Sequence, residues 1–242
     1  MDFVITGPDA EYFEKGLEMV ESRWKIVCDP CSKRFMPQRI AEPPKNRVER
    51  IIEKWIPLDY RDTNFNRLQK DRPAQYNLTK NWTPGDHGLF LFGPSRRQKS
   101  RIAYWLAMTH IKCGKTCMAY DSRTFRGTVE QKIMDGTLWD WYKEAERVAV
   151  LLLDDLGKFK GEGKRIEEEL FSLIKLRVEA KQSVIITTND TPAQLSSRFS
   201  DSIAGPMIER IRETCQIVSF FTKEEAERLQ SQQQFDFRRM EL

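Results

Sequence analysis

The sequence predicts an α/β domain in which a parallel, five-stranded sheet lies between helices. Short apolar runs of strand length alternate with longer segments of helical periodicity along the chain. One apolar run leads into a loop containing glycine and arginine that is followed by a helix, and another run ends in two adjacent carboxylates. With 242 residues and 40% hydrophobic side chains, the chain is long enough for one such core and a small appendage.

The first strand, residues 89–92, runs into a loop with the spacing of a phosphate-binding P-loop. In the pattern G-x-x-x-x-G-K-[ST], Gly93, Lys99 and Ser100 stand at the required positions, whereas Gln98 replaces the second glycine. In such a loop the amides at the helix N-terminus favour phosphate, the lysine reaches the β- and γ-phosphates, and the hydroxyl binds Mg²⁺. The predicted nucleotide-binding residues are Gly93, Pro94, Ser95, Arg96, Arg97, Gln98, Lys99, Ser100 and Arg101.

The residue at position 98 decides how well this loop is expected to bind a nucleotide. Glycine there lets the backbone approach the phosphates without a Cβ in the way. A strained backbone at Gln98 costs about 1–3 kcal/mol, which weakens binding by about tenfold or more. Arg96, Arg97 and Arg101 add positive charge that partly offsets this cost. The loop alone leaves two interpretations open: a weakened ATP site, and a strand–turn–helix that no longer binds nucleotide.

The most strongly apolar run, residues 148–153, ends in Asp154 and Asp155. An apolar strand followed by a carboxylate pair is typical of a Walker B motif, and its position after a P-loop-like element strengthens that interpretation. We expect Asp154 to hold Mg²⁺ together with Ser100, directly or through water, and Asp155 to polarise the attacking water. The sequence therefore predicts ATP and Mg²⁺ as cofactors.

Three further strands complete the predicted sheet, over residues 115–121, 183–188 and 215–220. Asn189 follows the strand expected beside Walker B. Its amide either orients the attacking water or begins the turn before Pro192. Because it is the third motif in the expected order, we favour the first role.

A helix between the last two motifs is predicted from an apolar stripe. Glu167 to Glu169 and Arg177 fall off that stripe. The glutamates are most simply a solvated face and a favourable charge set at the helix N-terminus. The stripe consists of Ile166, Leu170, Leu173, Ile174 and Val178.

Residues 1–48 are predicted to form a small, mostly helical appendage, followed by a linker over 49–87, the core over 88–222 and a charged helical tail over 223–242. The helical pattern comprises Tyr12, Phe13, Leu17, Val20 and Trp24.

Cys28 and Cys31 form a C-x-x-C pair in this appendage, which is half of a zinc site. No second pair accompanies it, so structural or free thiols are the favoured interpretation. A zinc ion shared between subunits is the alternative.

Composition favours a cytoplasmic protein. The sequence has no run of 18 apolar residues, and its acidic N-terminal stretch lacks a signal-peptide pattern. Five cysteines, an odd number, suit a reducing compartment. A net charge of +4 permits contact with nucleic acid but does not demand it.

Residues 51–222 resemble the AAA+ core of DnaC/IstB-type helicase loaders and transposition ATPases, with the motifs in order and at similar spacing. This resemblance implies an AAA+ P-loop NTPase core whose five strands are ordered 5-1-4-3-2. It is carried by the segments IIEKWIPLDYRDTNFNRL, GLFLFGPSRRQKSRIA, VAVLLLDDLGKFK, EELFSLIKLRVEAKQSVIITTND and SRFSDSIAGPMIERIRETCQIVSF.

The resemblance also implies site residues and partners. Asp154 and Asp155 match the Walker B pair, and Asn189 matches sensor 1. Arg210 matches the arginine finger, with Arg198 as the second choice. The implied partners are ATP, single-stranded DNA, a replicative helicase or transposase, and further copies of the chain. A scaffold that has lost ATP hydrolysis is the alternative. A small-molecule kinase would need an arginine-rich lid and an acceptor pocket, and the sequence shows neither.

Overall fold

The structure, a computed structural model, describes residues 24–28, 35–39, 45–63, 65–85, 87–159 and 163–231. The chain divides into two compact units, residues 1–48 and 49–242. In the first unit, strands β1 (Trp24–Cys28) and β2 (Phe35–Arg39) pair antiparallel.

Residues 24–28 and 35–39 of this appendage form a hairpin, where a mostly helical piece was expected. Trp24, which the helical pattern included, begins strand β1. The run Trp-Lys-Ile-Val-Cys is rich in aromatic and β-branched residues, which favour strands. The rest of the helical pattern, residues 12–20, lies outside the described residues. Cys28 ends β1 and Cys31 also lies outside them, so the interpretation of the C-x-x-C pair stays a prediction.

Residues 49–87, expected to be a linker into the core with one short helical stretch over 46–56, contain further helices. Several apolar side chains of this segment are buried, including Ile56, Leu68, Tyr76 and Trp82. The Trp82 indole donates a hydrogen bond of 2.8 Å to the His87 carbonyl. Buried apolar surface of this extent is typical of a packed layer and not of a linker. The helices are α1 (Lys45–Trp55), α2 (Leu58–Arg61), α3 (Phe65–Asp71) and α4 (Pro73–Thr79).

The second unit is built on a five-stranded sheet with the order β4-β5-β6-β3-β7, in which all neighbours run parallel. Counted from the P-loop strand, this is the predicted order 5-1-4-3-2, so the predicted AAA+ topology is confirmed. The inner strands are buried along their whole length, as expected for a parallel sheet covered on both faces. The strands are β3 (Gly88–Phe92), β4 (Cys117–Tyr120), β5 (Val150–Leu153), β6 (Val184–Thr188) and β7 (Cys215–Ser219).

Helices connect these strands and cover the sheet. Two of them begin with a capping box, one at Asp121 with Thr124 and one at Thr191 with Gln194. None of the described helices is long and apolar enough to cross a membrane. The helices are α5 (Lys99–Lys112), α6 (Ser122–Met134), α7 (Leu138–Arg147), α8 (Lys164–Glu179), α9 (Pro192–Ser196), α10 (Asp201–Thr214) and α11 (Lys223–Ser231), with a 3₁₀ turn at Leu156–Phe159.

Helix α8 carries two buried charged residues that its apolar stripe does not predict. Glu169, expected on a solvated face, is only 7% exposed. Its carboxylate accepts a hydrogen bond from the Tyr142 hydroxyl of α7 and pairs with Arg165 at 2.6 Å. The packing of α7 against α8 therefore brings a polar partner to a position that an isolated helix would leave in water.

The second buried charge on α8, Arg177, is fully buried. Its guanidinium donates to the carbonyls of Ala145 and Glu146 at 3.1 Å and of Val148 at 2.6 Å, and also to the Ser183 carbonyl. These carbonyls end α7 and precede strands β5 and β6. Arg177 thus holds together the segments that lead into the two central strands.

Candidate functional site

A cavity of about 450 Å³ opens at the carboxyl ends of the parallel strands. In open α/β sheets, ligands bind at this edge. The cavity is lined by the loop and helix start that follow β3, by Asp121 after β4, by Asp154 and Asp155 after β5, and by residues 187–189 at the end of β6.

The loop between β3 and α5 has the backbone conformation that its glycine pattern implies. Gly93 has φ +137°, and a Cβ there would lie 3.0 Å from the Cβ of Phe220. Gln98 has φ +69°, in the left-handed region that the missing glycine would occupy freely. Its side-chain amide donates a hydrogen bond of 2.8 Å to the Asp71 carboxylate, and this bond lowers the pKa of Asp71. The strained loop is therefore held from outside by helix α3.

Lys99 is the most enclosed charge in the cavity, with 6% of its surface exposed. Its ammonium donates three hydrogen bonds of 2.8 Å, to the carbonyls of Gly93 and Pro94 and to the Asn189 side-chain oxygen. Burial lowers the pKa of Lys99 to about 8, against the opposing effect of the carboxylates that follow β5. All three donors of the ammonium are thus engaged within the chain.

Asp154 and Ser100 both line the cavity. The Thr187 hydroxyl donates a hydrogen bond of 2.6 Å to the Asp154 carboxylate. Burial raises the pKa of Asp154, and the Ser100 and Thr187 hydroxyls oppose that shift. The Ser100 hydroxyl and the Asp154 carboxylate are therefore two oxygen donors that face the same cavity.

This pair fits Mg²⁺. The described residues contain no group of three or more His, Cys, Asp or Glu that could hold a metal by itself. Mg²⁺ commonly takes one or two carboxylates and completes its coordination with waters and substrate phosphates. Ser100 and Asp154 match that requirement for an ion bound together with a nucleotide.

Asp155 is fixed by contacts on both sides. Its backbone lies in the left-handed region at φ +57°, and its amide donates to the Thr187 hydroxyl at 2.8 Å. Its carboxylate accepts from the Asn189 amide at 3.2 Å and pairs with the Lys158 ammonium at 2.8 Å. The two residues expected to handle the attacking water therefore contact each other.

The arginines near the loop differ in their partners. Arg97 pairs with Glu225 of α11 at 2.8 Å. Arg101 lies 3.7 Å from the carboxylate of Asp62. Arg96 is exposed at φ +61°. Together with Ser95, these arginines line the cavity.

The two candidate finger residues lie elsewhere. The Arg210 guanidinium donates to the Pro206 carbonyl at 3.2 Å and lies 5.2 Å from the centre of the Phe171 ring. It is not among the described residues that line the cavity. Arg198 pairs through two nitrogens with Asp190, at 2.6 Å each. To contact a nucleotide, Arg210 would therefore have to reach the cavity of a neighbouring subunit.

Residues 54–235 match the family described as IstB-like ATP binding protein, which is well over half of the chain. The chain belongs to the IstB-like ATP-binding protein family. The family resemblance predicted from the motifs is thereby confirmed.

Curated relatives of this IstB-like protein include two chromosomal replication initiator proteins named DnaA. The one from Buchnera aphidicola subsp. Baizongia pistaciae is 28% identical over 164 residues, covering 62% of this chain and 35% of the relative. The one from Gluconobacter oxydans is 26% identical, covering 64% and 33%. The chain thus spans about a third of the length of these relatives.

Solved structures support the fold of the IstB-like protein. DnaI aligns with a TM-score of 0.52 at 19% identity, covering 71% of this chain and 93% of that one. AMPPCP-bound DnaA from Aquifex aeolicus aligns with a TM-score of 0.51 at 18% identity, covering 75% and 54%. At these identities the similarity shows the shared fold.

Six residues that line the cavity of the IstB-like protein were not predicted from the motifs: Tyr60, Asp121, Ser122, Lys158, Thr187 and Thr188. Asp121 and Ser122 follow β4, Thr187 and Thr188 end β6, and Lys158 follows the Walker B pair by one helical turn. Tyr60 belongs to a segment that the family resemblance includes without giving it a role. The available signal for the others was their position at a strand end or beside a motif.

Replacing Gln98 by glycine in the IstB-like protein is expected to tighten Mg²⁺-ATP binding by about tenfold. Glycine adopts a positive φ without strain, which releases about 1–3 kcal/mol and removes the Cβ near the phosphates. The measurement is a titration of labelled ATP. Gln98→Ala is the matched control, because it keeps the Cβ and the strain but loses the bond to Asp71; it should bind ATP more weakly. Unchanged or weaker binding by Gln98→Gly would contradict this account of the loop.

Proposed function

We propose that this protein binds ATP with Mg²⁺ in the cavity around Lys99 and uses it to assemble on DNA, or on a helicase or transposase, in DNA replication or transposition. One observation carries the proposal: the Lys99 ammonium, the Ser100–Asp154 pair and the Asp155–Asn189 pair converge on the same cavity.

Each of these groups has a role in the proposed reaction. The loop and the N-terminus of α5 receive the phosphates, because helix N-termini favour anions. Lys99 contacts the β- and γ-phosphates, and Ser100 with Asp154 holds Mg²⁺, which neutralises phosphate charge when bound. Asp155 and Asn189 orient the attacking water between them. Proximity and electrostatic stabilisation of this kind account for most of the catalysis in phosphoryl transfer.

Self-association is part of the proposal because Arg210 does not reach this chain's own cavity. In an assembly, Arg210 would act on the nucleotide held by the next subunit. The proposed role in replication rests on the curated relatives, which are replication initiators. The net charge of +4 is compatible with DNA as a partner.

A second candidate is a scaffold that binds a partner without hydrolysing ATP. The Lys158–Asp155 ion pair of 2.8 Å favours it, because a carboxylate held by an ammonium is less available to a water molecule. The left-handed backbone at Gln98 favours it as well.

The test is a titration of labelled ATP with and without Mg²⁺, followed by phosphate release with and without single-stranded DNA. We expect Mg²⁺-dependent binding and turnover that DNA stimulates. Asp155→Asn should keep binding but lose turnover by about 100-fold, the scale of a lost general base. Arg210→Ala should behave in the same way. The exposed Asp140→Asn on α7 is the control and should match the wild type.

The outcomes separate the candidates. Absence of Mg²⁺-dependent ATP binding in the wild type would contradict the proposal. ATP binding without turnover, combined with partner binding that ignores ATP, would support the scaffold instead.

A further inference from the structure

A buried ion pair follows Asn189 in the chain. The next residue, Asp190, is only 6% exposed although it carries a carboxylate. Both of its carboxylate oxygens are bound by Arg198, with the guanidinium Nε 2.6 Å from Oδ2 and Nη2 2.6 Å from Oδ1. The Asp190 amide also donates a hydrogen bond of 3.1 Å to the Thr188 hydroxyl. A charge-assisted contact with two parallel hydrogen bonds fixes both the distance and the orientation of a carboxylate.

The same ion pair lies against the turn that follows the Walker B pair. Gly157 stands two residues after Asp155, and a Cβ at position 157 would lie 2.1 Å from the Oδ2 atom of Asp190. Two atoms that are not bonded do not approach so closely, so the carboxylate occupies the space that a side chain would fill. The Asp190 carboxylate therefore packs on the backbone of the turn itself.

The ion pair thus connects two segments whose side chains meet in the cavity. Asn189, just after β6, and Asp155, after β5, are joined by a hydrogen bond of 3.2 Å. Neither Asp190 nor Arg198 is among the described residues that line the cavity. Any effect of the ion pair on a reaction there would pass through the positions of Asn189 and Asp155, and not through contact with the nucleotide.

This geometry also gives Arg198 a role that differs from the one its sequence position suggested. To act as an arginine finger, Arg198 would have to leave the carboxylate of its own chain and contact the nucleotide of a neighbouring subunit. That movement would leave the Asp190 carboxylate buried without its partner, which is strongly unfavourable. The ion pair therefore favours an action of Arg198 within its own subunit.

We propose that Arg198 is a positioning residue that acts within its own subunit. By holding Asp190 against the turn after β5, it keeps the Asn189–Asp155 pair in the geometry that ATP turnover needs. This inference rests on the proposed function. A misplacement of about 1 Å that originates far from the reacting atoms can lower a rate by about 100-fold. The ion pair thus controls the rate of turnover and not the affinity for ATP.

The test compares ATP affinity with turnover in two variants that disturb the ion pair from opposite sides. Arg198→Ala removes the guanidinium, and Gly157→Ala places a Cβ where the carboxylate lies. Each should lower phosphate release at saturating Mg²⁺-ATP by about 100-fold, with the affinity for labelled ATP unchanged. The double variant should lose little more than either single variant, because both changes break the same contact. Arg198→Lys keeps the charge without the planar fork and should lose less than Arg198→Ala.

Two substitutions on other surfaces serve as matched controls. Arg212→Ala removes an exposed arginine from α10. Gly127→Ala adds a Cβ at an exposed position of α6, where the described residues leave open space. Both controls should match the wild type in ATP affinity and in rate. Circular dichroism at the assay temperature establishes that each variant is folded.

Three results would overturn the inference while leaving the proposed function intact. Turnover of Arg198→Ala at the wild-type rate would show that the ion pair does not position the site. A loss of ATP affinity as large as the loss in rate would place its effect on binding. Recovery of turnover when Arg198→Ala is mixed with Lys99→Ala would show that Arg198 acts on a neighbouring subunit, since the second variant keeps its own Arg198. A wild type that lacks Mg²⁺-dependent ATP binding or turnover would instead contradict the proposed function, and the inference with it.

Discussion

Replacing Lys99 by alanine is expected to weaken Mg²⁺-ATP binding by at least about 100-fold. The ammonium is the most enclosed cation of the cavity, with 6% exposure, and it lies at the N-terminus of α5. Losing a buried, hydrogen-bonded charge from an interface typically costs 2–5 kcal/mol, and each 1.4 kcal/mol is about one decade in affinity. Titration of labelled ATP against the variant measures the loss directly.

The control for this variant lies on the same helix. Lys112 is exposed at the C-terminal end of α5, so Lys112→Ala should bind ATP like the wild type. Both variants should unfold at nearly the same temperature as the wild type, because burial already disfavours the charged form of Lys99. ATP binding that survives Lys99→Ala would place the nucleotide elsewhere on the chain.

Replacing Arg177 by methionine is expected to lower the free energy of unfolding by about 3–5 kcal/mol. The change fills much of the same volume but leaves four carbonyls in the interior without their donor. Each buried acceptor that loses its partner costs roughly 1–3 kcal/mol, partly offset because a buried cation is removed. For a domain of this size the melting temperature should fall by roughly 10 °C, which calorimetry or circular dichroism can follow.

Lys175→Met on the same helix provides the comparison. Lys175 is exposed and lies 3.7 Å from Glu179, a surface pair worth only about 0.3–0.5 kcal/mol. The melting temperature of Lys175→Met should therefore differ from that of the wild type by no more than a degree or two. If Arg177→Met were as stable as this control, the guanidinium would not hold the entries to the central strands together.

Apolar runs of strand length, alternating with helical segments, were enough to predict a parallel sheet and the convergence of the site. The order of the five strands, which the structure confirms, came from the family resemblance and not from the spacing of the motifs. Lys99, Asp154 and Asn189 meet because the carboxyl ends of parallel strands share one edge. The left-handed backbone at Gln98 could also be anticipated, since that loop position requires it.

Contacts between distant segments could not be predicted in this way. The local sequence pattern does not reveal that Gln98 is held by Asp71, which lies 27 residues earlier in the chain. Periodicity assigns polar side chains of α8 to water, whereas Glu169 and Arg177 are buried by partners on α7 and on the strand entries. The helical stretch over 46–56 was predicted, whereas the helices over 58–79 were not, because their burial depends on the core beneath them.

The three hydrogen bonds of the Lys99 ammonium make nucleotide capture an exchange and not an addition. A phosphate must displace at least one internal acceptor of the Lys99 ammonium. The net binding free energy is therefore the difference between two sets of hydrogen bonds. We therefore expect a moderate affinity, with occupancy that follows the ATP supply. When the Asn189 side-chain oxygen is the acceptor released, we expect it to become available to water only while a phosphate is bound.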